Sequence, residues 1–209
     1  MADFALTRLP KGRHSLTRQQ VAEAQRLRLA VAMADAMTES GYVGTPVAAV
    51  LKRAGVSRET FYQLYDDKLA CFLDALDLAG AVLVAELTET IDGPGEPLAR
   101  AERALGRYLE TIVEHPAFAR LYLVEVHAAG PEAMLRRAEL QGRIVAALVD
   151  LFDARTKAGR FACQAYVAAI SALVTVPLAT GDLASVTTLR RPLLDLLRAL
   201  VEDGPIGRR

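Results

Sequence analysis

Ala54-Gly55-Val56-Ser57-Arg58-Glu59-Thr60-Phe61-Tyr62-Gln63-Leu64-Tyr65-Asp66-Asp67-Lys68 is the stretch whose reading decides the fold. A small residue followed by glycine ends one short helix, Val56 plugs the corner, and the Ser57 hydroxyl caps the next helix. Phe61 and Tyr65 lie four residues apart, so they share the inward side of that helix. Arg58, Thr60, Tyr62 and Gln63 then remain as donors suited to phosphate oxygens and base edges. This is the second half of a helix-turn-helix.

Working outward, Thr45 before Pro46 marks the start of the preceding helix, with proline at its first position and Val47, Val50, Leu51 and Ala54 on its inner side. Further upstream, Thr17 and Gln20 have capping-box spacing. Leu29, Met33, Ala36 and Met37 come after them at helical intervals, so a first helix is expected to run to Ser40 with Gly41 as a left-handed cap. Residues 1–14 lack periodicity, contain Pro10 and Gly12, and read as a flexible basic arm. Downstream, Asp66 and Asp67 favour the start of a fourth helix reaching about Thr90. Gly93-Pro94-Gly95, His115-Pro116, Gly130-Pro131, Gly159 and Gly181 punctuate the rest, and Pro192 opens a Leu-rich terminal helix. The expectation is an all-α chain of about nine helices, with a helix-turn-helix domain over 1–66 and a larger helical domain over 67–209.

Composition agrees with this reading. Hydrophobic residues make up 52% of the 209 positions, enough for a sizeable core, and alternating β-branched runs are nearly absent. The formal net charge is zero, but it is unevenly spread. Residues 1–65 hold nine Lys/Arg (Arg8, Lys11, Arg13, Arg18, Arg26, Arg28, Lys52, Arg53, Arg58) against five acids (Asp3, Glu23, Asp35, Glu39, Glu59), a net +4 balanced by −4 in the remainder. A basic head on an acidic body suits a polyanionic partner. Cys71 and Cys163 have neither disulfide-framework nor zinc spacing, and the N-terminus has no apolar run of signal-peptide length, so a cytoplasmic setting is expected. From Phe161 to Gly181 no residue is charged. Gln164, Ser171, Thr175, Pro177 and Thr180 interrupt that span, and the Ala162, Ala165, Ala169, Ala172 seam points to a buried or interface helix rather than a membrane segment.

With Gly41-Tyr42, the Thr45 helix start, Ala54-Gly55-Val56-Ser57, Thr60-Phe61-Tyr62, Tyr65 and Asp67-Lys68 in register, residues 17–72 resemble the head of the TetR (tetracycline repressor) family of bacterial transcriptional regulators. The resemblance implies a homodimeric, ligand-responsive repressor of a palindromic double-stranded operator, with no cofactor. It implies Arg58 as a base reader suited to guanine O6 and N7. Ser57, Thr60 and Gln63 are added DNA contacts, and Thr45, Tyr62 and Lys68 are phosphate clamps. Two positions depart from the family pattern. Glu59 stands where a small residue is frequent and either accepts from cytosine N4 or stabilises the helix start. Leu64 replaces a commonly polar or aromatic residue and weakens any phosphate contact there.

The larger domain is less explicit. Phe118, Tyr122 and Glu125 fall at i, i+4 and i+7 and would share one face, which lines an effector cavity, forms a satisfied buried network, or faces solvent. Tyr108 and Tyr166 are further candidates for contact with a small apolar or aromatic effector. Glu125 and His127 point to opposite sides of a helix, so no metal site is expected. No catalytic constellation has a convincing context, and the chain is read as a non-enzyme. The terminal helices, about 160–180 and 189–202, are expected to form the dimer contact through the Ala seam and the Leu stripe. The competing reading is a helical carrier or interaction protein that has lost DNA binding.

Overall fold

The structure is a computed structural model that describes residues 17–206; the arm expected over 1–14 lies outside them. Eleven α-helical segments and one π-helical turn make up the described chain. They are α1 (Arg18–Gly44), α2 (Val47–Ala54), α3 (Arg58–Leu64), α4 (Lys68–Asp92), α5 (Pro97–Glu114) and α6 (Pro116–Arg120), then the π turn (Leu121–Glu125), α7 (Val126–Ala129), α8 (Pro131–Leu151), α9 (Lys157–Thr180), α10 (Leu183–Thr188) and α11 (Arg190–Glu202). The run from α6 through α7 is one bent rod, and α10 passes into α11 through a single turn residue. Rods counted this way number nine among the described residues, as the punctuation predicted.

Local chemistry sets the head. The Thr17 capping box closes in both directions, with Gln20 N–H donating to Thr17 Oγ1 (3.2 Å) and Thr17 N–H to Gln20 Oε1 (2.9 Å). Gly41 has a positive φ of 64°, yet its ψ of 176° places it in a glycine-only extended region rather than the left-handed cap expected. The helix therefore kinks at Gly41 and resumes for one more turn to Gly44 instead of ending. Pro46 occupies the cap of α2 and Val47 its first turn, one residue later than the spacing implied. Gly55 does close α2 in the left-handed region (φ 61°, ψ 37°), where side chains are disfavoured.

α4 joins head to body and packs against α1 at one end and α5 and α8 at the other. A Cβ at Gly80 would collide with the Leu140 side chain, so glycine is what lets α8 cross α4 so closely. The main buried cluster is continuous from Leu29, Met33 and Phe61 in the head through Phe72 and Leu76 to Leu121, Leu140 and Val174 in the body. A second cluster, with Leu148, Cys163, Tyr166, Leu197 and Ile206, ties α9 and α11 to the end of α8. The main cluster thus runs across the boundary expected between residues 66 and 67.

α9 is long and apolar enough to cross a membrane, with a mean hydropathy of 1.7 over its most apolar window. Here it lies on the body with one side buried through Ala162, Cys163, Tyr166, Val167 and Val174. The opposite side presents Phe161, Ala165, Ala168, Ala172 and Val176, of which Phe161 is 70% and Val176 65% exposed. The Ala seam is accordingly split, with Ala162 inside and Ala165 and Ala172 outside. Most of the terminal Leu stripe turns inward as well: Leu193, Leu194 and Leu197 are buried, while Leu196 is exposed.

Candidate functional site

Two places concentrate polar groups that the fold itself does not use. The first is the outer face of α3. Ser57 Oγ accepts from Thr60 N–H (3.0 Å) and shares a 2.9 Å hydrogen bond with the Thr60 hydroxyl, which fixes the first turn. Phe61 is fully buried and Tyr65 nearly so, as expected, and the Tyr65 hydroxyl donates to the Asp74 carboxylate. With the inward side anchored, Arg58, Glu59, Tyr62 and Gln63 are all exposed. The Arg58 guanidinium lies 5.5 Å from the centre of the Tyr62 ring, so cation and aromatic form one surface unit. Glu59 receives a long contact of 3.5 Å from Gln63 Nε2. Leu64 is half-buried against the core, which accounts for an apolar residue at that position.

Two residues expected at phosphates are committed to the fold. Thr45 is buried, and its hydroxyl donates to Gly41 O (2.7 Å), so it cannot serve as a surface clamp. Lys68 donates from Nζ to Tyr42 O (2.8 Å) and Thr45 O (3.1 Å) and sits 4.2 Å from the Tyr42 ring centre. Its burial pulls the ammonium pKa below the ordinary value. Lys68 thus ties down the carbonyls at the C-terminal end of α1, a role the Asp67-Lys68 pair did not reveal. Arg28 plays a matching part at the turn, donating to Ala54 O and to Gly55 O (3.0 Å).

The second place is inside the body. A cavity of about 60 Å³ lies among α4, α5, α8 and α9, with Leu83, Leu87, Ile144, Leu148 and Ile170 as apolar walls and Gln141 and Ser171 as polar ones. A neighbouring cavity of about 50 Å³ is bounded by Ile112, His115, Phe118 and Leu123. Leu83, Tyr108 and Tyr122 border both. Four expected residues therefore gather here: Tyr108 and Tyr122 between the cavities, Tyr166 in the first and Phe118 in the second. Burial drives the phenol pKa of Tyr108, Tyr122 and Tyr166 upward, so all three are neutral donors. The Tyr166 hydroxyl is taken by Leu193 O (3.1 Å).

Glu125 is not among the cavity residues, which corrects its expected role. The π turn inserts one extra residue and rotates the helix beyond it away from the Phe118–Tyr122 face. Glu125 is buried and faces the head instead, accepting from Tyr42 N–H (2.7 Å) and from Arg120 Nε (3.0 Å). Arg120 in turn donates to Ala179 O at the end of α9 (3.0 Å). A Cβ at Gly41 would meet Glu125 Oε2 at 3.2 Å, so the kink residue also makes room for this contact. His127 is exposed on the other side, as its spacing implied.

Both cysteines are buried, and burial lifts the Cys71 thiol to about 12 and the Cys163 thiol to about 11. Neither is a ready thiolate near neutrality. Among the described residues no group of three or more His, Cys, Asp or Glu could hold a metal ion.

No family model matches the sequence, and none of the curated proteins does. Solved structures do share the fold. FadR from Bacillus subtilis, a transcriptional regulator in complex with stearoyl-CoA, has a TM-score of 0.71 at 17% identity over 82% of this chain and 96% of its own. A TetR-like transcriptional regulator from Rhodococcus sp. RHA1 has 0.65 at 19% identity over 93% and 100%. NemR of E. coli in its reduced form has 0.62 at 16% identity over 83% and 96%.

Proposed function

We propose that this chain, whose fold is that of the TetR-family transcriptional regulators, is a cytoplasmic, homodimeric, ligand-responsive DNA-binding regulator that acts as a repressor and releases a palindromic operator on binding a small apolar molecule. The observation that carries the reading is the outer face of α3. There Arg58, Tyr62 and Gln63 stand exposed while the caps and the Phe61 and Tyr65 anchors hold the helix rigid beneath them. In this reading Arg58 reads a base edge, Gln63 and Thr60 add base or phosphate contacts, and Tyr62 meets the backbone while supporting the Arg58 guanidinium. Glu59 either accepts from cytosine or stabilises the helix start.

A dimer is supported by the unpartnered apolar stripe of α9 from Phe161 to Val176, with Leu196 of α11 also exposed. Two heads would then meet half-sites about 34–36 Å apart, so a change in their separation weakens both contacts together. The route from effector to head runs through the π turn. Tyr122 borders both cavities, and Glu125, three residues on, holds Tyr42 at the end of α1. A ligand that displaces Tyr122 strains the same turn that carries Glu125. An effector with an apolar body fits the cavity lining, and FadR with stearoyl-CoA is a fold relative that holds one.

Selection of bound fragments from random duplex DNA tests the reading. The expected result is a palindromic site whose affinity falls steeply as salt rises. Arg58→Ala should then cost about 1–3 kcal/mol on that site and relax one position of it. A protein that binds an apolar ligand yet shows no salt-dependent preference for any DNA would be a carrier, and the regulator reading would fall.

A further inference from the structure

We propose that the effector is an apolar monocarboxylate, its carboxylate received by Arg137 and the Tyr122 hydroxyl and its hydrocarbon part lying among Leu83, Leu87, Ile144 and Leu148. This rests on the reading of the body as an effector domain and names the chemistry that domain takes.

Two buried polar atoms have no hydrogen-bond partner among the described residues, and they belong to neighbouring side chains: Tyr122 Oη and Arg137 Nε. The Arg137 guanidinium lies 5.6 Å from the centre of the Tyr122 ring, so the two form one polar spot. Tyr122 itself is only 6% exposed. Buried donors are normally satisfied, and two orphans on neighbouring side chains, one of them Tyr122 at the wall of both cavities, mark a missing acceptor.

Other half-buried arginines show what this fold ordinarily does with such a cation. Arg107 pairs with Glu86 and Glu114, Arg120 with Glu125, and Arg100 gives its Nε to Ile91 O. Among the described residues no carboxylate pairs with Arg137. Its place on α8 aims it at the cavity, because Arg137, Gln141, Ile144 and Leu148 stand at i, i+4, i+7 and i+11 and the last three line the space. Arg137 therefore stands one turn before Gln141 on the cavity-facing side of α8, behind Tyr122 and just outside the lining itself.

The chemistry narrows the ligand further. A planar guanidinium matches a carboxylate in shape and charge, and a phenol adds a third donor to the same acceptor group. Neither cavity has a Lys or Arg in its lining, and His115 is the single titratable nitrogen there. One cation suits one negative charge rather than a phosphate ester. The remaining walls are aliphatic or aromatic and suit hydrocarbon. Because Tyr122 borders both cavities, a carboxylate that draws its hydroxyl toward Arg137 would open one space into the other.

Titration calorimetry of the full chain with octanoate and with octanamide, its neutral isostere, tests this. The wild type should bind octanoate at least tenfold more tightly than octanamide. Arg137→Gln should abolish that preference, weakening octanoate far more than octanamide. Tyr122→Phe should weaken octanoate several-fold while the melting temperature stays level or rises, since the hydroxyl it removes has no partner in the fold. Equal affinity for the two ligands, absence of binding to either, or an Arg137→Gln protein that still prefers the acid would overturn the proposal. DNA binding measured on the same samples separates the two readings. Salt-dependent DNA binding without octanoate binding sinks only the ligand assignment. Octanoate preference without DNA binding sinks only the regulator.

Discussion

The head and the body place their chemistry on opposite sides of their surfaces. In the head, α1, α2 and α3 are closed by their own caps, the Thr17 box, Gly55 and Ser57, so the donors of α3 are free to face outward. In the body, helices enclose a space whose polar lining is Tyr108, Tyr122, Tyr166, Gln141 and Ser171. An outward site needs only a rigid platform, whereas an inward one needs several distant helices to arrive together. The two meet at Tyr42, where the body's Glu125 and the Lys68 side chain both grip the kinked end of α1.

Cutting that meeting point should give the largest effect. Glu125→Ala leaves Arg120 and Tyr42 N–H without their acceptor and should cost about 3 kcal/mol, lowering the melting temperature by roughly 6–12 °C. Glu125→Gln should restore most of the loss, as read by thermal denaturation. If both variants melt like the wild type, the apolar packing of α1 against α6, the π turn and α4 holds the two regions together without Glu125. A smaller effect is expected within the head. Gly55→Ala puts a side chain at φ 61° and a Cβ 2.8 Å from Arg28 Nη2, and should cost about 1–2 kcal/mol with the body's octanoate affinity unchanged. Loss of octanoate binding in that variant would show head and body to be less separable than their surfaces imply.

The smallest effect is an absence. With thiols raised to about 12 and 11 from 9.0, Cys71 and Cys163 should resist a thiol reagent at pH 8 until the protein is unfolded. Their folded values lie above the unfolded one. The stability they lend is therefore complete below about pH 9 and declines as pH rises toward 11 to 12. Melting temperatures should be flat from about pH 7 to 8.5 and fall above that. Rapid labelling of either thiol at pH 8 would mean that its part of the core opens readily.

The same contrast governs what could be read from the residues. Caps, breaks and the inward pair Phe61 and Tyr65 depend on neighbours within four positions, so the helix order, the turn and the exposed α3 donors were all legible. Thr45 and Lys68 turn inward because their partners are backbone carbonyls of residues 41–45, and no side-chain pattern announces such a partner. Glu125 was misplaced for a related reason: seven residues on from Phe118 is the same face only if the helix keeps 3.6 residues per turn, and the π turn breaks that count. Tyr108, Phe118, Tyr122 and Tyr166 stood out because aromatics are conspicuous in a chain with few of them, and all four border the cavities. Gln141 and Ser171 of the cavity wall and Arg137 beside Tyr122 carried no signal in the sequence, since an Arg on an otherwise polar helix looks solvated until Tyr122 arrives from another part of the chain.

The close crossing at Gly80 has a mechanical meaning. From there α4 extends twelve residues to Lys68, about 18 Å at 1.5 Å per residue. If α8 acts as the fulcrum at Leu140, a tilt of about 10° swings the Lys68 end by about 3 Å, close to the ~3.4 Å rise of a base step. In the proposed dimer both arms would swing, and the two α3 helices would lose step with a bound duplex by nearly two base pairs. A glycine with no side chain would then be the pivot that turns a ring movement inside the body into a misfit on the DNA.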